Sequence, residues 1–246
     1  MKAFEFFSAK RQQFVQRAQA AFAQYKEAKK QRGMTLLEVI IVLGIIGTIA
    51  AGVVVLAQRA FDSRTISEVV QATNTIRVAV KDAYSTSGAY PDYKSPLNLN
   101  NDTILTSDAG ATSTLVKLGK VSVSEMRNKI SGDFYGIGAG KTSNGQTKGN
   151  MKGYVIEVNG LTSEQCRSVI SQVGNNWDYV KVSNAAAGAY TITDAGEDMT
   201  VDVRGEGNTS VLRSLGANGT TNITPEKIVS VCTQPGAQNS IILGSR

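Results

Sequence analysis

The sequence predicts an α+β fold: one long N-terminal helix, apolar in its first half, packed on a largely antiparallel sheet. Three observations predict it. A charge-free run, Val39–Ala57, passes directly into a stretch with apolar residues at steps of three and four. From residue 91 onward Gly, Asn, Ser and Pro punctuate the chain, and the apolar runs between them are short. The two cysteines, Cys166 and Cys232, both lie in the C-terminal half, where a bridge would staple that region. A chain of 246 residues is long enough for one packed domain and a long appendage.

Residues 2–32 form a basic, amphipathic stretch with Phe4, Phe7, Phe14 and Phe22 set among Lys, Arg and Gln. It reads either as a helix lying on a membrane surface or as a disposable tail without structure. Eight of the 26 basic residues and two of the 20 acidic ones fall in residues 1–33, so the whole net charge of +6 sits there. The rest of the chain is balanced, which removes the support that a high pI would lend to nucleic-acid binding by the folded part. A basic flank of this kind is held in the cytoplasm by the positive-inside rule.

The run Val39–Ala57 holds 19 residues without a charge. As a helix it spans about 28 Å, the thickness of a hydrocarbon core. It exceeds the roughly 7–15 residues of a signal-peptide core, and Leu56-Ala57-Gln58 is a poor small-x-small cleavage site. The segment is therefore expected to stay with the mature protein, with a plain signal anchor as the competing reading. Glu38 sits at its start. A carboxylate there is costly in lipid, so it carries a function or snorkels to the headgroups. Gly44, Gly47 and Gly52 do not make a Gly-x-x-x-Gly motif, and each costs about 1 kcal/mol in a helix. They either ease close helix packing or loosen the helix locally.

Beyond the run, Ile66, Val69, Thr73, Ile76, Val80 and Tyr84 continue one helical face, with Arg64, Glu68, Arg77, Lys81 and Asp82 mostly elsewhere. The helix is expected over residues 35–86, about 78 Å long, and should end near Ser87-Gly88, ahead of Tyr90-Pro91. Two capping boxes, Ser122 with Glu125 and Thr162 with Gln165, predict short helices. Thr224-Pro225 predicts another, leading into Cys232. Asn208 to Leu215 is a further helix candidate. Strands are expected at Tyr154–Val158, Tyr179–Val182, Tyr190–Thr193, Thr200–Val203 and Ser240–Leu243.

Catalytic chemistry is sparse. The chain has no histidine, which removes the commonest general base and the commonest metal ligand. Gly136 to Thr142 resembles a phosphate-binding loop, but Tyr135 stands where that loop needs its first glycine. Glu197, Asp198, Asp202 and Glu206 read as a solvated acidic face rather than a cation site. Trp177 reads as a core aromatic rather than a glycan platform. We expect no catalytic residue, no metal site, no cofactor and no enzyme activity. Cys166 and Cys232 match no zinc spacing; they form a disulfide or two buried thiols, and export favours the disulfide.

The stretch from Gly33-Met34-Thr35-Leu36-Leu37-Glu38 through Gly47 resembles the type IV pilin processing signature. The long leader, and Met34 as the first mature residue, resemble the type IVb branch. Through Ala57 to Ser63 the chain is most similar to the toxin-coregulated, enterotoxigenic colonisation-factor and longus major pilins. The similarity is strongest over residues 33–85 and persists at Gly160 to Cys166. No proline interrupts the apolar run, unlike many type IVa pilins, so no kink is expected.

The resemblance implies three parts: residues 1–33 as a cytoplasmic leader, residues 34–87 as the long helix, transmembrane over about 38–57, and residues 88–246 as a globular head. It implies cleavage between Gly33 and Met34 by a membrane prepilin peptidase, methylation of the new Met34 amine, an assembly role for Glu38 and a Cys166–Cys232 disulfide. It also implies a homopolymeric filament as the partner of each subunit, with an inner-membrane assembly platform and a minor pilin. The subunit would sit in the inner membrane and then in an extracellular pilus serving adhesion, microcolony formation and colonisation. The rivals are a minor pilin or secretion-system pseudopilin, and, from another class, a membrane-anchored lectin-like module that is never cleaved at Gly33.

Overall fold

Helix α1 runs Leu36–Tyr84, and no proline interrupts it. The structure, a computed structural model, describes residues 35–203, 210–219 and 221–246. The basic stretch of residues 2–32, Gly33, Met34 and Glu206 lie outside the described residues. Residues up to Gln58 form one unit and Arg59–Arg246 a second. In the second unit Ile66, Val69, Ala72, Thr73, Ile76, Ala79 and Val80 form the buried stripe of α1, the face that the sequence periodicity marked. The helix stops at Tyr84, where Ser87 turns back onto the Tyr84 carbonyl through its amide at 3.1 Å and its hydroxyl at 2.8 Å. Gly88 follows at φ +73°, a conformation that favours glycine.

The sheet has six strands: β1 (Gly136–Lys141), β2 (Gly153–Leu161), β3 (Tyr179–Asn184), β4 (Glu197–Asp198), β5 (Val211–Arg213) and β6 (Asn239–Ser245). Their order is β4-β1-β2-β6-β3-β5. All pairings are antiparallel except β1 with β4, so the sheet is largely antiparallel as expected. Central β2 is buried at every residue. On one face Tyr154, Ile156, Val158, Ile241 and Leu243 join the stripe of α1 and the helices in a single core. On the other, Val155, Tyr179, Met199, Val211 and Ile242 form a smaller cluster with Ile192.

Helix α2 (Gly110–Lys117) buries Ala111, Thr112, Ser113, Leu115 and Val116. Its Gly, Thr and Ser content gives it weak helix propensity, so it escaped sequence reading. Helix α3 (Ser163–Val173) opens on the complete Thr162–Gln165 capping box, and α4 (Pro225–Val231) has Pro in its first turn. Cys166 in α3 is joined to Cys232, the residue closing α4, with Cα atoms 5.9 Å apart.

Four local expectations are corrected. Ser122 and Glu125 make their reciprocal hydrogen bonds, but only one turn forms, because Met126 and Arg127 pair instead with Tyr135 and Phe134. Tyr190–Thr193 is not a strand: the Thr191 and Ile192 amides donate to the Glu157 carboxylate instead of to a neighbouring strand. Thr200–Val203 is not one either. The short strand lies earlier, at Glu197–Asp198, and Asp198 ends it by accepting from the Thr200 amide at 2.9 Å. Within Asn208 to Leu215, Val211–Arg213 is strand β5 rather than helix. Val211 enters the smaller cluster and Leu212 the main core, the two-faced alternation of a strand.

Strand β1 was not expected at all. Its glycines are structural: a Cβ at Gly136 would lie 2.8 Å from the Tyr190 ring, at Gly138 2.8 Å from Tyr93, and at Gly140 2.9 Å from Met199. Alternate glycines flatten one face of β1 so that other segments can lie directly on it. The phosphate-loop likeness is thereby explained as a strand.

Candidate functional site

The first unit is the functional candidate because its surface is wrong for water. Within residues 36–56 the large apolar side chains are exposed on every side, including Leu43 at 62%, Ile49 at 60% and Leu56 at 68%. This helix is long and apolar enough to cross a membrane, and none of its most apolar window is buried. An apolar surface of this extent must be covered by lipid or by other chains. No Cβ placed at Gly44, Gly47 or Gly52 would meet an atom within 4 Å. Among the described residues nothing demands those glycines. Thr48 keeps its hydroxyl satisfied on the Ile45 carbonyl at 2.8 Å, which lets a polar residue stand in the run.

The helix start is built by Thr35. Its hydroxyl accepts from the Glu38 amide at 3.3 Å, and its carbonyl accepts from the Val39 amide at 3.2 Å. Thr35 is thus the N-cap, and Glu38 is the third residue of the helix, where the macrodipole favours a carboxylate. The Thr35-x-x-Glu38 spacing is the sequence signal of this cap. Among the described residues the Glu38 carboxylate has no ion-pair partner. Helix capping engages its backbone amide, so the carboxylate itself is left for some other group.

In the second unit the structure brings Cys166 and Cys232 together. It also engages the residues weighed for chemistry. Glu197 accepts from the Tyr179 hydroxyl at 2.7 Å and from Lys181 at 2.8 Å. Asp198 is taken up by Thr200. Trp177 is buried in the core, with the Arg77 guanidinium 4.8 Å from its ring centroid. Sequence reading missed buried Glu157, which lies in a run of apolar residues and whose donors come from distant segments. Burial pushes the phenols of Tyr135, Tyr154, Tyr179 and Tyr190 well above the ordinary tyrosine range, and Glu197 pushes Tyr179 further.

A charge-free helix opening on a capped turn, followed by a disulfide-bonded α+β head, narrows the families to compare. The prokaryotic N-terminal methylation motif matches residues 28–54, and the family described as toxin-coregulated pilus subunit TcpA matches residues 114–243. A toxin coregulated pilin of Vibrio cholerae is 38% identical over 189 residues, covering 75% of this chain and 76% of the relative. The chain belongs to the toxin-coregulated pilin family of type IV pilins. A second family member, the toxin coregulated pilin of Vibrio cholerae serotype O1, is 36% identical over 201 residues, covering 82% of this chain and 83% of its own. The crystal structure of TcpA, a type IV pilin from Vibrio cholerae El Tor biotype, shares the fold. It matches with a TM-score of 0.58 at 23% identity, over 74% of this chain and 99% of the other. The toxin-coregulated pilin fold thus accounts for the long helix, the sheet and the disulfide together, and the family is a structural one.

Proposed function

We propose that this chain is the precursor of the major subunit of a type IVb pilus. A prepilin peptidase cleaves it between Gly33 and Met34, removing residues 1–33, and the new Met34 amine is methylated. The mature subunit waits in the inner membrane, held by residues of about 38–57. An assembly platform, primed by a minor pilin, then moves it into the filament, where apolar helices bundle and heads of residues 88–246 face outward. Adhesion, microcolony formation and colonisation follow from the fibre.

The observation that carries this reading is the fully exposed apolar first half of α1 with Glu38 at its start. Inside a bundle of such helices the dielectric is low. The Met34 amine of an arriving subunit and the Glu38 carboxylate of a neighbour would neutralise each other there. A misregistered subunit would leave a charge buried without a partner, at a cost of several kcal/mol. Glu38 therefore checks register more than it glues.

The test is the N-terminal residue and intact mass of the protein in sheared surface material, under non-reducing conditions. We expect a chain that begins at methylated Met34 and carries an intact disulfide. A chain that keeps residues 1–33 and stays in membranes sinks the reading in favour of an anchored binding module. Scarcity in sheared material, with cleavage intact, favours a minor pilin or pseudopilin.

A further inference from the structure

Where α1 ends lies a cleft of about 410 Å³ whose charged side chains are all basic. Lys81 comes from the last turn of α1, Lys152 from the residue before β2, and Arg246 from the residue after β6. No carboxylate side chain lines it. In a head whose sequence balances acid against base, such a local excess is not a background effect. Among the described residues neither the Lys81 ammonium nor the Arg246 guanidinium makes an ion pair. Two acidic side chains come near these cations: Asp82, next to Lys81 in sequence, is paired with Lys120, and Asp178, outside the lining, accepts from the Ser245 hydroxyl and the Arg246 amide. The Lys152 ammonium is held towards the cleft by the Gly88 carbonyl.

The rest of the lining is aromatic. Tyr84 and Tyr90 are half-buried, with ring centroids 6.3 Å apart, and Tyr90 is braced on buried Tyr154 at 4.9 Å. Burial raises the pKa of both lining phenols, so they stay neutral beside the cations. Rings braced in this way present an apolar face and a polar hydroxyl, the surface on which a sugar ring stacks. The Arg246 guanidinium can fork onto a carboxylate or sulfate, and the Lys81 and Lys152 ammonium groups add point charges of the same sign.

We propose that this cleft binds an anionic saccharide, its carboxylate or sulfate held by Lys81, Lys152 and Arg246 and its ring laid on Tyr84 or Tyr90. The inference goes beyond filament formation and does not need it, because the site lies within the single unit Arg59–Arg246 of one chain.

Sialyllactose, sulfated lactose and plain lactose are the probes. They are titrated against the full chain in an uncharged polyoxyethylene detergent, by calorimetry and saturation-transfer NMR. We expect both anionic sugars to bind, with lactose weaker by about tenfold or more, and affinity to fall as salt rises. Lys81→Gln and Arg246→Gln should each weaken binding by roughly fivefold with the fold intact by circular dichroism, and Tyr84→Leu should weaken both sugars. The proposal is overturned if neither anionic sugar binds, if lactose binds as well, or if both charge variants bind like the parent chain. It is equally overturned if inorganic sulfate competes as well as sulfated lactose, since the sugar ring then contributes nothing. If cleavage at Gly33 fails but these titrations succeed, the pilus reading is wrong and the saccharide site stands.

Discussion

The buried carboxylate of Glu157 is bound by Thr191. The Thr191 amide donates to it at 2.8 Å and the Thr191 hydroxyl at 2.8 Å, with further bonds from the Ile192 amide and the Ser240 hydroxyl, each at 3.0 Å. One side chain on β2 thus pins a segment without regular structure across the sheet, next to the glycine face of β1. Glu157→Ala would leave these donors buried without an acceptor, and we expect it to cost at least about 3 kcal/mol. Glu157→Gln keeps one acceptor oxygen and should cost less. Urea midpoints of the two variants and the parent check both the size and the order.

The disulfide closes a loop with a sequence separation of 66 between two helices that line the main core. On the chain-entropy view it stabilises the head by about 4 kcal/mol. Cys166→Ala with Cys232→Ala should lower the denaturation free energy by that order, and added reductant should then have no further effect. An unchanged midpoint would refute it.

Arg77 joins α1 to the turn that links α3 to β3. It donates to the Asn176 carbonyl at 2.8 Å and lies over the Trp177 ring. Arg77→Ala should cost about 2 kcal/mol, from a charge-assisted hydrogen bond and a cation–π contact. Trp177 is the single tryptophan of the chain, so its fluorescence reports this site alone. The emission should shift in the variant before any global unfolding.

Alkaline pH should unfold the head steeply. Tyr135, Tyr154, Tyr179 and Tyr190 all have folded pKa values raised above the unfolded value near 10, chiefly by burial. Above that pH the unfolded chain has lost protons that the folded chain still holds, so stability is intact below about pH 10 and falls as pH rises further. Each such tyrosine contributes a slope of about 1.4 kcal/mol per pH unit. Tyr190→Phe should reduce the slope by about one such increment in denaturation experiments between pH 10 and 12.

Thr35 and Glu38 can be separated. Thr35→Ala removes the cap and should fray the first turn, a cost of about 1 kcal/mol that leaves the carboxylate present. Glu38→Gln leaves the cap, because Thr35 binds the Glu38 amide. We expect Glu38→Gln subunits to be cleaved normally and to enter filaments poorly, and Thr35→Ala subunits to enter them well. Equal yields of sheared filament from both variants would remove the register role.

The buried stripe of α1 was readable because a helix on a flat core buries one residue in every three or four, and Ile66 to Val80 keep that step. Thr162 and Pro225 announced α3 and α4 for an equally local reason: a capping hydroxyl and a fixed φ act within one turn. Local logic also failed locally. Ser122 and Glu125 formed their box, yet the next residues were claimed by Phe134 and Tyr135. Tyr190 to Thr193 has strand-like residues, but its amides face a carboxylate 34 residues earlier. Glycines in β1 look like a flexible loop until the Tyr190 ring and the Tyr93 backbone and Cβ are seen against them.

The sequence by itself determined the charge-free run Val39–Ala57, the glutamate at its start, the basic N-terminal stretch and the pairs of residues that open the later helices. These follow from transfer energies and from hydrogen bonds between near neighbours. Only the tertiary structure decided that Glu157 organises the loop over the sheet, that Asp198 ends a strand, and that Lys81, Lys152 and Arg246 surround one cleft. Each of those depends on side chains separated by many residues, whose proximity is set by packing of the whole head and leaves no mark on sequence spacing.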